Sequence, residues 1–294
     1  MTRDKTNPYH GRFAPTPSGP LHAGSLVAAL GSYLDARAQG GRWSLRIDDT
    51  DPARSRPDTI DDILAQLHAH RLIPDGEVLR QSRRQRRYDQ ALSRLEDRGR
   101  LYRCRCTRAR LRHWAQEHGQ VIGAVGPVYP GFCRDEAVAA DERHALRFRV
   151  ISRQRRVEDR RLGEIRQDLV AEVGDPVLRR SDGPIAYHLA NVVDDADMAI
   201  THVVRGEDLA PLTPLHAELA EALGHRPPSY LHLPLVAGPD GRKLSKTNHA
   251  PALDNRRAAE NLRAAARALG LTGRETESSI ARLLEGWVRE WAER

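Results

Sequence analysis

Apolar positions along the chain fall into two alternating rhythms. Leu26, Leu30 and Leu34 recur every fourth residue, the spacing of one helical face, and predict a helix over residues 21–39 closed by Gly40 and Gly41. Ahead of it, residues 11–15 read as a short strand running into a turn of Pro15, Thr16, Pro17, Ser18, Gly19 and Pro20. Behind it, residues 42–47 read as a second strand. Strand, glycine-containing turn, helix and strand make a βαβ unit, which predicts an α/β fold with a parallel sheet. Residues 58–72 and 83–98 carry further helical patterns. From about 101 to 182 the rhythm breaks: charge is dense, all the cysteines fall here, and short segments such as 145–150 predict an insertion. The βα rhythm returns with 185–193, 200–204, a helix at about 214–223 and a strand at 231–236. Two closing helices are predicted at 258–269 and 280–291.

Composition narrows the class. A length of 294 residues suits about two modest domains, and the apolar fraction is 39%. No run approaches the roughly 18 apolar residues that a membrane span needs. Met1, Thr2, Arg3, Asp4 and Lys5 lead into no apolar stretch of signal-peptide type. A soluble, cytoplasmic protein with no membrane partner is expected. Neither internal repeats nor low-complexity segments occur. The net charge of +7 permits an anionic partner without naming one. The arginine-rich stretches 83–87 and 153–161 read either as solvated faces or as contacts to nucleic-acid phosphate.

The split of that charge is more informative. Of the 47 basic residues only Lys5, Lys243 and Lys246 are lysine. Two of the three therefore sit in one short segment, Lys243, Leu244, Ser245, Lys246 and Thr247, in a loop expected after the last strand. A compact ammonium is wanted there where a planar guanidinium will not serve. Paired ammonium groups suit a reaction in which pyrophosphate leaves, because charge builds on the departing phosphates in the transition state. The turn from Pro15 to Ser25 is the complementary element. It delivers a strand to a helix N-terminus, where backbone N–H groups and the helix dipole favour phosphate. Within it Gly24 permits close approach of a nucleotide, and His22 can donate to phosphate oxygens. Either segment alone is also compatible with an ordinary helix start or a solvated loop; the two together, on βα elements and in this order, are specific.

The three cysteines, Cys104, Cys106 and Cys133, are too few and too clustered for a disulfide framework. They supply three thiolates, and a structural zinc takes four ligands. The residues alone leave Tyr129, His113 or His118 as the fourth, or else three reduced structural thiols.

The His22–Gly24 element and the Lys243–Lys246 element resemble the signature pair of the class I aminoacyl-tRNA synthetases. Arg12 to Gly19, with Leu45, Arg46, Ile47, Asp48, Asp49, Thr50 and Asp51, resembles the glutamyl branch of that family. The likeness runs over about 11–251. It extends to Ser25 through Leu34 and to Lys246 through Leu253, which resemble members that have the glutamyl core without an anticodon-binding domain. The resemblance implies a Rossmann-like catalytic domain in two halves, 1–100 and 185–247. A zinc-containing insertion over 101–184 and a small helical C-terminal region over 248–294 complete it. It also implies ATP contacts from Pro15, Ser18, Gly19, His22, Gly24, Ser25, Lys243, Leu244, Ser245 and Lys246, with His22, Lys243 and Lys246 catalytic.

For the amino acid, the resemblance implies that Arg12, Phe13, Ala14, Pro15, Thr16, Tyr187 and Arg205 line a site for L-glutamate. A guanidinium fork for the side-chain carboxylate makes physical sense, since it rejects the neutral amide of glutamine. Asp48 stands where the family pattern carries Glu, one methylene longer; it would hold the substrate ammonium through a water or after a small backbone shift. Asp49 and Asp51 are expected to be structural. The family's Tyr-x-Gly-x-Cys pattern implies Tyr129 as the fourth ligand of one structural Zn²⁺.

The chemistry implied is two-step. The glutamate carboxylate, already ionised at neutral pH, attacks the α-phosphate of ATP with Mg²⁺, and the adenylate passes its glutamyl group to an acceptor. Too little chain follows residue 248 for a large anticodon-binding domain. The resemblance implies instead that the acceptor is queuosine in the anticodon loop of tRNA(Asp), and a monomer is expected. Two alternatives stay open: a conventional or truncated glutamyl-tRNA synthetase charging a tRNA 3′ end, and a non-catalytic zinc-containing RNA-binding paralogue.

Overall fold

The computed structural model describes residues 8–120, 122–123, 126–235 and 251–294. Lys243, Leu244, Ser245 and Lys246 lie outside the described residues. In chain order the elements begin β1 (His10–Phe13), α1 (Ala23–Ala38), β2 (Arg42–Ile47), α2 (Pro57–Ala69), β3 (Leu79–Arg80), α3 (Gln85–Asp97) and β4 (Leu101–Cys104). There follow α4 (Arg108–Glu117), β5 (Ile122–Gly123), β6 (Gly126–Pro127), β7 (Ala145–Phe148), β8 (Arg155–Asp159), β9 (Gly163–Gln167) and α5 (Leu169–Glu172). The chain continues through β10 (Val177–Arg179), α6 (Tyr187–Asp197), β11 (His202–Gly206), α7 (Thr213–Ala222), β12 (Ser229–Leu233), α8 (Ala258–Ala268) and α9 (Ile280–Ala292). It divides into two compact units: Met1–Gln81 with Ala199–Leu209 and Pro228–Arg294, and Ser82–Met198 with Ala210–Pro227.

The first unit is a parallel α/β assembly. β1 pairs with β2 in parallel register from His10↔Arg42 to Phe13↔Leu45, and β2 pairs with β3 through Arg46↔Leu79. β11 and β12 pair in parallel from His202↔Ser229 to Gly206↔Leu233. Thr201 N donates to His10 O at 2.9 Å, which joins the start of β11 to β1. Parallel strands are covered on both faces and so need not alternate; in β2 everything from Trp43 to Ile47 is buried, Ser44 and Arg46 included. The predicted face of α1 packs as expected, with Leu26, Leu30 and Leu34 at 1% exposure or less. It meets Trp43, Leu45, Leu262 and Trp287 in one core, each fully buried leucine stabilising by about 1.5–3 kcal/mol. Gly31 lets α1 lie against β12, because a Cβ there would fall 2.5 Å from Leu233 Cδ1. Buried polar groups on this face are paired: Trp43 Nε1 donates to Ser32 Oγ at 3.0 Å, and Asp35 accepts from Tyr9 Oη and from Trp291 Nε1.

Several boundaries move for local reasons. The strand expected at 11–15 ends at Phe13, short of Pro15, which has no N–H to give a ladder. The helix expected from 21 starts at Ala23, with His22 as its N-cap. The helix expected to reach 72 stops at Ala69, and Arg71 turns the chain at φ 54°.

The second unit is built differently. β4, β7 and β10 form an antiparallel sheet in the order β10-β7-β4, and β8 and β9 form an antiparallel hairpin. α3, α6 and α7 supply its core through Tyr88, Leu92, Leu95, Leu189, Leu215 and Leu219. The segment 185–193, where the βα rhythm resumes, is helix from Tyr187 onward; Leu189, Val192 and Val193 keep helical spacing and are buried. The arginines of 83–87 are partly committed internally. Arg84 binds Asp194 at 2.7 Å and also Asp197, while Arg87 binds Asp197 at 2.6 Å. In 153–161, Arg155 forms a two-pronged pair with Glu221 at 2.9 and 2.6 Å. Among the described residues, no helix is long and apolar enough to cross a membrane.

Candidate active site and thiol cluster

In the first unit the candidate residues collect where parallel strands end, the place where open α/β sheets bind ligands. Arg12 lies on β1 opposite Ser44 and is 3% exposed. Phe13 ends the strand, stacked 6.4 Å from Trp43. Ala14 and Thr16 are half-buried and Pro15 is buried. Pro15 O accepts from Asp48 N at 3.0 Å, which brings the loops after β1 and β2 together. Asp48 itself is buried. Arg46, two positions earlier on the same face of β2, donates from Nε to Asp48 Oδ1 at 2.6 Å and from Nη2 to Oδ2 at 3.3 Å. Asp49 is buried, and Asp51 accepts from Ala53 N at 3.2 Å to shape the following turn.

His22 caps α1. Its Nδ1 accepts from Ser25 N at 3.3 Å, and its own carbonyl accepts from Leu26 N. Using Nδ1 as the acceptor puts the proton of the neutral ring on Nε2, so the imidazole presents a donor edge beside the helix N-terminus. Ser18, Gly19, Gly24 and Ser25 around it are half-buried.

Arg205, at the end of β11, is 5% exposed and well fixed. Its Nε donates to His232 Nε2 at 3.2 Å, its Nη2 donates to Leu209 O at 3.1 Å, and its guanidinium lies 5.6 Å from the Tyr230 ring. The register Arg205↔His232 places this partner directly across the parallel pair. A guanidinium held this way loses little freedom on meeting a carboxylate. Sequence reasoning missed His232 and Tyr230; the signal available was their i, i+2 spacing, which puts both on one strand face.

In the second unit Tyr187 opens α6, half-buried. Its ring lies 5.8 Å from the His188 ring and 5.6 Å from the His216 ring. His188 Nδ1 and His216 Nε2 are 3.1 Å apart, within hydrogen-bond distance.

The second unit also gathers the cysteines. The Sγ atoms of Cys104, Cys106 and Cys133 all lie within 4.8 Å of one another, with Cys106 and Cys133 at 3.7 Å. A tetrahedral centre with Zn–S bonds of about 2.3 Å separates its sulfurs by about 3.8 Å, so the thiols fit a zinc ion in spacing and in softness. Tyr129 Oη sits 3.3 Å from Cys104 Sγ and 3.7 Å from Cys106 Sγ, and accepts from Cys133 N at 2.8 Å. The two histidines are engaged elsewhere: His113 Nε2 faces Glu117 at 3.2 Å, and His118 Nδ1 donates to Trp114 O at 2.8 Å. Trp114 stacks on His118 at 4.3 Å and meets Phe132 edge-on at 5.9 Å.

Charge at this cluster is arranged by a residue the spacing did not single out. Arg147, 7% exposed, lies 3.9 Å from the Tyr129 ring centre, and its Nη1 donates to Asp175 O at 2.6 Å. Burial pushes the Cys104 thiol up, but the Tyr129 hydroxyl and the Arg147 guanidinium outweigh it and hold the thiol below its ordinary value. Cys106 is pushed up to about 11, chiefly by burial. Burial also drives the Tyr129 phenol upward; a bound cation would act in the opposite sense on Cys106 and Tyr129.

The parallel sheet, the capped helix after its first strand and the buried arginine at a strand end define an α/β protein with its candidate residues at the strand ends. A tyrosyl-tRNA synthetase from Archaeoglobus fulgidus shares the fold at a TM-score of 0.50, with 15% identity over 98% of this chain and 83% of that one. The model for "tRNA synthetases class I (E and Q), catalytic domain" matches residues 9–279, and the chain belongs to that family of ligases. Membership implies an amino acid, ATP and a tRNA as partners. A Glutamyl-Q tRNA(Asp) synthetase from Chromobacterium violaceum is 46% identical over 97% of this chain and 94% of its own length. Its counterpart from Pseudomonas fluorescens is 48% identical over 99% and 94%. A glutamate tRNA ligase from Elizabethkingia meningosepticum, solved with its amino acid, has a TM-score of 0.71 and 32% identity over 82% of this chain. This chain spans 52% of that ligase.

Proposed function

We propose that this protein activates L-glutamate with ATP, independently of tRNA, and transfers it to queuosine in the anticodon loop of tRNA(Asp). The observation that carries this reading is identity of 46–48% along nearly the whole length of relatives bearing that name. It acts in the cytoplasm as a monomer. A glutamate α-carboxylate oxygen attacks the α-phosphorus of ATP, the α–β bridging P–O bond breaks, and pyrophosphate leaves. The acid is already ionised, so no protein base is required. His22 donates from Nε2 to the phosphates beside the α1 N-terminus, and Lys243 and Lys246 neutralise the leaving group. Mg²⁺ enters with ATP as its substrate salt and supplies further neutralisation. Arg205, Tyr187 and the Arg12–Thr16 strand end bind glutamate, and Asp48 takes its ammonium. In the second step a hydroxyl oxygen of the queuosine cyclopentene diol attacks the acyl carbon. The acyl–phosphate bond breaks, AMP leaves, and the hydroxyl proton passes to solvent. Cys104, Cys106, Cys133 and Tyr129 hold one structural Zn²⁺, which fixes the fold around it.

Pyrophosphate exchange with glutamate alone should proceed. Lys246→Ala should lower its kcat by about 10²–10³, the size of losing one transition-state charge contact. Glutamate incorporation into queuosine-bearing tRNA(Asp) should survive periodate oxidation of the tRNA 3′ end. Labelling that vanishes after periodate replaces this reading with a conventional glutamyl-tRNA synthetase.

A further inference from the structure

Gln66 lies on α2 with 4% of its surface exposed, and its amide reaches out of its own helix. Oε1 accepts from Leu21 N at 2.7 Å, and Nε2 donates to Leu21 O at 3.3 Å and to Leu253 O at 3.4 Å. The two strips it touches are also paired with each other: Leu253 N donates to Leu21 O at 3.0 Å, and His22 and Ala252 form an antiparallel bridge. One amide thus satisfies both backbone groups of the residue before His22 and fastens the chain that returns beside it. Behind Gln66 stands His70, fully buried. Its Nδ1 lies 2.7 Å from Gln66 O, and its Nε2 lies 3.2 Å from Asn261 Nδ2. A carbonyl only accepts, so His70 donates from Nδ1 and accepts at Nε2 from Asn261, which also donates to Asp254 O at 3.0 Å.

We propose that Gln66 is a positioning residue for adenylate formation, holding His22 at the start of α1 and the Ala252–Leu253 strip against it. The inference rests on the phosphate-facing role given to His22. An apolar side chain of equal size fills the volume of Gln66 but leaves Leu21 N–H without its side-chain acceptor and leaves Leu21 C=O with Leu253 N alone, so the backbone carrying His22 shifts. Small misplacements of a group that meets the reacting phosphates cost rate far more than they cost binding of a distant substrate. Glutamate binding, assigned to other residues, is left alone.

The test is pyrophosphate exchange by the full chain carrying Gln66→Met or Gln66→Glu. The Glu variant keeps an acceptor for Leu21 N and loses the donor; the Met variant loses both. Exchange kcat should fall about ten- to a hundredfold in Gln66→Met and less in Gln66→Glu, with ATP KM raised and glutamate KM within about twofold. Leu283→Ala, in the core of α9, serves as a variant of comparable thermal destabilisation that should keep its kcat. A folded Gln66 variant with wild-type exchange kcat overturns the proposal, as does an equal loss in Leu283→Ala at matched stability. If Gln66→Met does not fold, the same criteria apply to Gln66→Glu. A wild-type chain without exchange overturns the functional reading and this proposal together; normal exchange in both chains overturns the proposal alone.

Discussion

His22 and Arg205 stand on elements whose core runs continuously through Leu30, Trp43, Val204, Leu262 and Trp287. Among the described residues, the buried apolar cluster at the thiols consists of Cys104, Leu111, Tyr129, Cys133 and Val138. The first region can keep its shape by apolar packing alone. The second has a smaller apolar cluster, and three thiols and the Tyr129 hydroxyl converge at its centre. Polar placement in the two follows suit. In the first, polar groups are held by neighbours on fixed strands, as Arg205 is by His232. In the second, the polar groups are themselves the centre of the packing. Function located in the first region should tolerate damage to the second, and the reverse should hold for metal content.

Cys133→Ser tests that separation most severely. Zinc measured by elemental analysis should fall from one per chain to near zero, and proteolysis should cut within 104–138, because structural zinc in small motifs contributes on the order of 10 kcal/mol to folding. Pyrophosphate exchange should persist. Exchange that disappears with the metal breaks the comparison. Leu30→Ala is the converse experiment. Leu30 is fully buried at the centre of the first core, and its truncation should cost about 3–5 kcal/mol in urea unfolding while metal content stays at one. Gly174→Ala is milder. Gly174 has φ 69°, and a Cβ there would lie 2.6 Å from Tyr129 N. The strain should cost roughly 1–3 kcal/mol and lower zinc affinity without touching exchange. Unchanged affinity would separate Tyr129 from the cluster.

The smallest effect concerns pH. Burial holds the His70 pKa below its ordinary 6.5, so the folded chain keeps this imidazole neutral. The unfolded chain binds the extra proton first. The contribution is therefore fully present above the unfolded value and is lost as pH falls through the window below it. Stability measured from pH 7.5 to 5 should decline on acidification, and His70→Gln should flatten that slope. An unaltered slope assigns it to other groups.

Much of the first region was legible. The four-residue spacing of Leu26, Leu30 and Leu34 reports a buried helical face directly, and 42–47 coincides with β2. The β8–β9 hairpin was not legible, because its strands read Arg, Glu and Gln on half-exposed faces with little alternation to detect. The same divide runs through the candidate sites. Cys104, Cys106 and Cys133 announce themselves by residue type, and Tyr129 entered through a family pattern. Arg147 looks like any other arginine until its guanidinium is found over the Tyr129 ring. Gln66 and His232 were hidden for a related reason: each acts on a segment distant in sequence, and single-sequence periodicity reports only local geometry.

The edge-on contact between Trp114 and Phe132 has an optical consequence. Of the four tryptophans, Trp43, Trp287 and Trp291 belong to the first unit and Trp114 alone to the second. Emission from a chain whose other indoles are silenced by substitution would report the surroundings of the cysteines alone. A chelator titration followed by that signal would give the affinity for the zinc proposed to sit there, while the far-ultraviolet signal of the helices follows the rest of the molecule.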